Sequence, residues 1–161
     1  MEIYIRPLRI EDALISYKWR NICEIWALTG SRPDIEITPE LELTWIKDVI
    51  SREDEKRFAI CVSDSNQYIG NVQLTGIDNY KAEFHIFIGE TAFWGKGIGE
   101  QATMLALKHG FNKMNVMEFV LTVNQQNKKA IKIYKKLGFE EKSRSFNMIS
   151  MYLKKDTFLS K

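Results

Sequence analysis

The chain has 161 residues, of which 45% are hydrophobic and 27% are charged, and its formal net charge is +2. This composition is ordinary for a globular protein, and so small a charge is not by itself an argument for nucleic acid, so no nucleic-acid partner is expected. The chain has only two cysteines, far apart, and two histidines, which argues against a disulfide framework and against a zinc site made of protein ligands.

The length predicts a single domain over residues 1–161. No apolar stretch approaches the roughly 20 residues that a membrane-spanning helix needs. The chain starts with strand-like sequence and not with a signal peptide. We therefore expect a cytoplasmic protein with no membrane partner.

Two helices and a loop are predicted near the start of the chain. Residues 3–7 alternate as a strand does, and residues 11–19 form a helix that leads into Trp19-Arg20-Asn21. Residues 28–37 are rich in turn formers and predict a loop. Thr38 can cap the next helix, with Pro39 at its first position. That helix is predicted to carry Leu41, Trp45 and Val49 on one side.

Three strands joined by short turns follow. Residues 57–62, 68–75 and 83–88 have the composition and alternation of strands, and the turns at 64–67 and 78–80 predict an antiparallel meander. In the third strand one face carries Phe84, Ile86 and Ile88, and the other carries Glu83, His85 and Phe87.

A glycine-rich loop, residues 93–102 (FWGKGIGEQA), comes between that third strand and a helix predicted over residues 101–113. Glycines let the backbone approach an anion closely, and the first N–H groups of a helix lack partners within it. The arrangement therefore suits phosphate. The spacing fits neither the Walker loop nor the dinucleotide fingerprint, so the alternative is a turn without a ligand.

The last third of the chain predicts a strand, a helix and a closing strand, at residues 116–123, 126–137 and 147–153. Asn127 is placed to cap the helix, and Gly138 to end it in the left-handed conformation. Lysines cluster along this helix. They are interpreted mainly as a solvated face, although one or two could meet a phosphate.

The glycine loop and the later stretch Asn127…Tyr134…Gly138-Phe139 together resemble the GNAT family, the acyl-CoA-dependent N-acyltransferases. The variant Trp-Gly-Lys-Gly is similar to the branch that contains ribosomal-protein N-terminal, polyamine and amino-sugar acetyltransferases. The resemblance implies an α/β fold, with a mixed, largely antiparallel central sheet, splayed middle strands and about four flanking helices.

The resemblance also implies acetyl-CoA as co-substrate and no metal. The residues it assigns to coenzyme A in and around the glycine loop are Trp94, Gly95, Lys96, Gly97, Ile98, Gly99 and Glu100. Asn127 would contact coenzyme A as well. Phe87, Ile88 and Gly89 would offer backbone groups to the pantetheine arm, with a register that could shift by one residue. GNAT proteins often form homodimers, so the resemblance allows a homodimer but does not require one.

For catalysis, the resemblance assigns Tyr134 as the general acid that faces the thioester sulfur. The alternative is a core tyrosine. From its place on the central strand, Glu83 is expected to be the base, acting through water; the ordinary pKa of His85 suits the task better, and a structural role for either residue is the alternative. The acceptor pocket is assigned Arg20, Asp34, Glu36 and His85, with a structural ion pair or a solvated loop carboxylate as the alternatives.

The predicted function is acetyl transfer from acetyl-CoA by direct attack of a primary amine. The acceptor is expected to be a small molecule such as an amino sugar or a polyamine. A protein N-terminal acetyltransferase is the alternative within the family. An acyl-CoA sensor without catalysis is the alternative from another class.

Overall fold

A computed structural model describes residues 1–27 and 33–160, which build one seven-stranded sheet with helices packed on both faces. The spatial order of the strands is β1-β2-β3-β4-β5-β7-β6. Every neighbouring pair is antiparallel except β4 and β5, which are parallel. The strands are β1 (Ile3–Pro7), β2 (Lys56–Val62), β3 (Tyr68–Asp78), β4 (Lys81–Ile88), β5 (Glu118–Asn124), β6 (Glu140–Ser145) and β7 (Met148–Lys154).

The described residues contain six α-helices, two more than the four or so predicted. Two of the six have only four or five residues, which is too short for a helical periodicity to show in the sequence. The helices are α1 (Ala13–Arg20), α2 (Cys23–Trp26), α3 (Pro39–Ile50), α4 (Ile98–Lys113), α5 (Lys128–Leu137) and α6 (Lys155–Leu159). None of these helices is long and apolar enough to cross a bilayer.

The middle of the sheet is splayed, as predicted. β4 and β5 pair only where Lys81, Ala82 and Glu83 face Glu118, Phe119 and Val120. From Phe84 to Ile88, β4 has no partner on that side, because β5 diverges from it. An open strand edge and a gap therefore lie in the middle of the sheet.

The two faces of β4 belong to two different hydrophobic cores, which confirms the predicted alternation. Phe84 is buried in the core that α4 and α5 cover, with Ile86 packed against the same core. Phe87 packs on the opposite face against the core that contains Trp19 of α1 and Ile46 of α3. The gap beside β4 thus opens toward both layers.

The start of α3 was predicted correctly, but its buried face only in part, since Val49 is buried and Trp45 packs against a core whereas Leu41 does not. Thr38 Oγ1 accepts a hydrogen bond from the Leu41 N–H at 3.2 Å, and Pro39 is the first residue of the helix. Leu41, however, is 45% exposed, and the buried residues are Glu42, Ile46 and Val49. The physical reason is that the Glu42 carboxylate is hydrogen-bonded to side chains of α1.

Two glycines of α4 offer a matched test of the packing. A methyl group on Gly110 would overlap the ring of fully buried Phe119, whereas one on Gly99 would meet nothing within 4 Å. We expect Gly110→Ala to lower the free energy of unfolding by about 1–3 kcal/mol. Gly99→Ala should leave it unchanged or raise it by up to about 1 kcal/mol. Urea denaturation of both variants checks this, and equal effects would contradict the packing.

Candidate active site

A cavity of about 470 Å³ lies where β4 and β5 separate. Its walls come from both layers of the protein and from the sheet between them. The lining residues are Arg20, Trp26, Glu42, Trp45, Arg57, Asn71, Gln73, Thr75, Phe84, His85, Ile86, Phe87, Thr122, Val123, Asn124, Asn127, Tyr134 and Met148.

The glycine loop leads from the end of β4 into the N-terminus of α4. Gly95 and Gly97 both have φ of +76°, a conformation that favours glycine, and Gly97 is the N-cap of α4. No side chain caps this helix. Its first N–H groups, together with the helix dipole, therefore form a site suited to an anion.

Charged side chains lie on both sides of this loop. Lys129 Nζ is 3.7 Å from the position that a Cβ on Gly95 would occupy, and Lys96 Nζ is 5.7 Å from the centre of the Phe93 ring. The Glu100 carboxylate forms an ion pair with Lys136 at 2.7 Å, which offsets the one acidic charge in the first turn of α4. The loop therefore remains attractive to phosphate.

The open edge of β4 differs in register from the prediction. The Gly89 N–H donates to the Ile69 carbonyl at 2.7 Å, so that amide is not free. Peptide groups alternate along an antiparallel ladder, so those of Ile86 and Ile88 point toward the gap, and those of Phe87 and Gly89 point toward β3. The Ile88 carbonyl accepts a hydrogen bond from Trp94 Nε1 at 2.9 Å, which ties the loop to the strand end.

Tyr134 lies on α5, where its ring packs against Phe84 and Phe139 with centroid distances of 6.2 and 5.5 Å. The side chain lines the cavity but is only 8% exposed, and burial raises the pKa of its phenol to about 12. No hydrogen bond joins its hydroxyl to another described residue. A protonated phenol on the cavity wall is able to donate a proton at neutral pH.

His85 lines the same cavity on the other face of β4. Its Nε2 is 3.1 Å from Thr75 Oγ1 and 3.4 Å from Glu83 Oε1. Desolvation lowers the pKa of His85, and the Glu83 carboxylate opposes that shift only in part. The ring is therefore neutral at pH 7. Because a carboxylate can only accept hydrogen bonds, we assign the proton to Nε2, which leaves Nδ1 to accept a proton.

The end of the cavity nearest α3 carries the charges. Arg20 and Arg57 both lie over the Trp45 ring, with guanidinium carbons 4.7 and 5.0 Å from its centroid. Buried Glu42 accepts hydrogen bonds from Ser16 Oγ at 2.9 Å and from Arg20 Nη1 at 3.1 Å. Burial raises the pKa of Glu42, and Arg20 and Ser16 oppose that shift.

The sequence model described as the acetyltransferase (GNAT) domain matches residues 2–140 of the chain. The chain belongs to the GNAT acetyltransferase family. It is an acetyl-CoA-dependent N-acetyltransferase, and the predictions of family, fold and co-substrate are confirmed.

Named relatives of this GNAT chain include enzymes from bacteria and animals. It is 33% identical over 139 residues to a spermidine N(1)-acetyltransferase of Escherichia coli K12, which covers 85% of this chain and 72% of the relative. It is 30% identical over 148 residues to an N-acetyltransferase 9-like protein of Caenorhabditis briggsae, covering 85% and 75%. A solved Vibrio cholerae spermidine N-acetyltransferase, in complex with CoA and spermine, has the same fold, with a TM-score of 0.86, 24% identity and 98% of each chain covered.

The cavity brings together five of the predicted GNAT site residues. These are Tyr134, Asn127, His85, Arg20 and Phe87. Asn127 Oδ1 also accepts from the Ala130 N–H at 3.3 Å, so it caps α5 as predicted. Glu83 does not line the cavity and instead contacts His85.

The predicted acceptor loop contributes less. Asp34 and Glu36 are exposed and do not line the cavity. Residues 28–32 of that predicted loop lie outside the described residues. The part of the chain that is described holds no cluster of three or more histidine, cysteine, aspartate or glutamate side chains that could bind a metal ion.

Sequence reasoning missed two parts of the cavity. Asn71, Gln73 and Thr75 form a polar row along β3, and their spacing of two residues was a signal that they share a face. Glu42 and Arg57 were also missed. No local pattern marks them, because each owes its place to packing between elements distant in sequence.

Proposed function

We propose that the protein acetylates the primary amine of a small molecule by direct attack on acetyl-CoA in the cavity between β4 and β5. The observation that carries this proposal is the pairing of a proton donor and a proton acceptor on the walls of one cavity. Tyr134 keeps its proton because burial raises its pKa, and His85 stays neutral because desolvation lowers its pKa.

Acetyl-CoA would lie with its pyrophosphate at the glycine loop. The residues that would hold it are Gly95, Gly97 and Gly99 and their neighbours Trp94, Lys96, Ile98 and Glu100, chiefly through backbone N–H groups at the start of α4. The positive φ values of two glycines and the absence of a side-chain cap support this fit. Lys129, beside Gly95, would add a positive charge.

The pantetheine arm would pair with the open edge of β4, where the peptide groups of Ile86 and Ile88 face the gap. Asn127, at the start of α5, lies on the opposite wall and would contact the arm from there. This arrangement brings the thioester, a good acyl donor, between the two layers of the protein.

His85 Nδ1 would take one proton from the acceptor ammonium, and the free amine nitrogen would then form a bond to the acyl carbon. As the carbon–sulfur bond breaks, Tyr134 would donate its proton to the departing sulfur. The protonated amide that results would lose one proton to solvent. Solvent would then return a proton to Tyr134. Glu83 would accept the hydrogen bond from Nε2 and so keep His85 in the Nε2–H tautomer. The alternative is that Glu83 itself is the base and acts through water, and the Glu83→Gln variant distinguishes these two roles.

The size of the cavity and the relatives support a small-molecule acceptor. A volume of about 470 Å³ is typical of small-molecule sites. A 33% identical relative is named for acetylation of spermidine, which supports an amine such as a polyamine. An amino sugar also fits this volume.

The experiment is release of free thiol from acetyl-CoA with spermidine, glucosamine, glucosamine-6-phosphate and a peptide with a free N-terminus, each in excess. We expect turnover with a small amine and mass spectrometry to find the acetyl group on its nitrogen. Turnover with the peptide alone would contradict the proposal, as would acetyl-CoA binding with no turnover on any amine. The second result would favour a sensor.

We also propose a cytoplasmic location, no nucleic-acid or membrane partner, and self-association into a homodimer. Light scattering of the purified protein tests the dimer, and a mass equal to one chain at all concentrations would contradict it.

A further inference from the structure

We infer, resting on the proposed function, that the acceptor amine carries an anionic group, a phosphate or a carboxylate, which binds to the guanidinium groups of Arg20 and Arg57 at the α3 end of the cavity. Both arginines line the cavity. Their side chains are only 22% and 9% exposed, so each is held in place and not mobile in solvent.

Trp45 contacts both guanidinium groups through its ring. Both lie within 5.0 Å of the centroid of its ring, and Trp45 itself lines the cavity. Stacking on an aromatic ring presents the edge of a guanidinium, and with it the N–H donors, to a ligand. The cavity wall therefore carries two guanidinium groups, each held in place by the Trp45 ring and by an ion pair with a carboxylate.

Both arginines keep hydrogen-bond donors that no described side chain uses. Arg57 Nε and Nη2 donate hydrogen bonds to Glu55 at 3.0 and 2.8 Å, so Nη1 is the nitrogen that can donate to a ligand. Arg20 Nη1 donates a hydrogen bond to Glu42 at 3.1 Å, so Nε and Nη2 are the nitrogens that can donate to a ligand. Phosphate and carboxylate oxygens are the groups that such donors bind most strongly, because the hydrogen bonds are charge-assisted.

The sheet register gives the distance from this pair to the proposed base. Arg57 faces Gln73 across β2 and β3, and Gln73 faces His85 across β3 and β4, so the three residues form one row across the sheet. Neighbouring strands are about 4.8 Å apart, so the backbones of Arg57 and His85 are separated by about 10 Å. A small molecule with an amine at one end and an anion at the other can span this row.

The same charges disfavour a polycation. Glu42 is the one carboxylate that lines the cavity within residues 1–27 and 33–160, and both of its oxygens already accept hydrogen bonds. A second ammonium group of the acceptor would therefore meet two arginines without a free carboxylate. The Arg20–Glu42 and Arg57–Glu55 ion pairs each match one guanidinium with one carboxylate, so an anionic group would bind through the N–H donors that these pairs leave unused.

The test is calorimetric titration of the protein, with CoA present, using two pairs of amines. Glucosamine-6-phosphate is compared with glucosamine, which tests a phosphate. γ-Aminobutyrate is compared with putrescine, which places a carboxylate where the diamine has its second ammonium. We expect at least one anionic amine to bind tenfold or more tighter than its counterpart. Equal affinities in both pairs, including no binding of any of the four, would overturn the inference, as would tighter binding of putrescine.

Variants assign the effect to Arg57. Arg57→Gln should reduce that affinity ratio about tenfold, and Arg57→Lys, which keeps the charge, should retain part of it. Arg52→Gln is the matched control, because Arg52 contacts the same Glu55 carboxylate but does not line the cavity. The measured quantity is the affinity of the anionic amine divided by the affinity of its counterpart. A structural defect would weaken the binding of both amines equally and leave this ratio unchanged. An unchanged ratio in Arg57→Gln would overturn the assignment.

Failure of this inference is distinguishable from failure of the proposed function. Acetylation of neutral amines or diamines without a preference for anionic ones would leave the function standing and overturn the inference. Absence of acetyl transfer to every amine, despite tight binding of an anionic amine, would overturn the function and leave the anion site standing.

Discussion

Replacing Tyr134 with Phe is expected to lower kcat by about 100-fold or more, with the Kd of acetyl-CoA almost unchanged. A positioned general acid typically contributes a factor of about 10²–10⁴. The substitution removes only the hydroxyl, which has no protein partner among the described residues, and keeps the ring that packs on Phe84 and Phe139. Steady-state kinetics and acetyl-CoA titration of the variant measure the two quantities.

A control variant separates this effect from general disturbance. The Tyr152 hydroxyl hydrogen-bonds Glu140 at 2.7 Å and does not line the cavity, so Tyr152→Phe should retain kcat. Thermal unfolding of Tyr134→Phe should match that of the unaltered protein. A kcat within about threefold of the unaltered value would contradict the assignment of Tyr134 as the general acid.

His85→Gln is expected to lower kcat/KM by about 100-fold and to remove the acidic limb of the pH profile. In the unaltered protein, activity should rise with pH as His85 loses its proton and then level off. The pKa of His85 is lowered by desolvation, so this rise should occur below the ordinary histidine value of 6.5. The initial rate measured as a function of pH checks the expectation.

Glu83→Gln distinguishes the two candidate bases. The Glu83 carboxylate raises the pKa of His85, so its loss should move the acidic limb to lower pH, with less than about a tenfold effect on the plateau. If Glu83 were the base, its variant would lose as much activity as a variant of the general acid. His85→Gln would then retain the acidic limb.

The parts that the sequence predicted well depend on local rules. The glycines that need a positive φ, the Thr38-Pro39 helix start and the Gly138 helix end are each dictated by a few neighbouring residues. The alternation along β4 assigned its two faces correctly because one face was uniformly apolar. The ordered loop and Asn127…Tyr134 stretch then identified the family.

The parts that were missed depend on partners distant in sequence. β6 is exposed at every position, so it has no apolar alternation to detect. The register of the β4 edge is set by pairing with β3, and the burial of Glu42 is set by α1. Arg57 and Arg20 contact the same ring because α3 brings Trp45 to residues of both β2 and α1. Such features require the tertiary structure.

The most direct test of the account is isothermal titration of the purified protein with acetyl-CoA, with ATP as the control. The glycine loop and the gap beside β4 predict saturable binding of one acetyl-CoA per chain and no heat of binding with ATP. Absence of acetyl-CoA binding, or equal binding of ATP, would contradict the proposal that this loop holds the pyrophosphate and this gap the thioester.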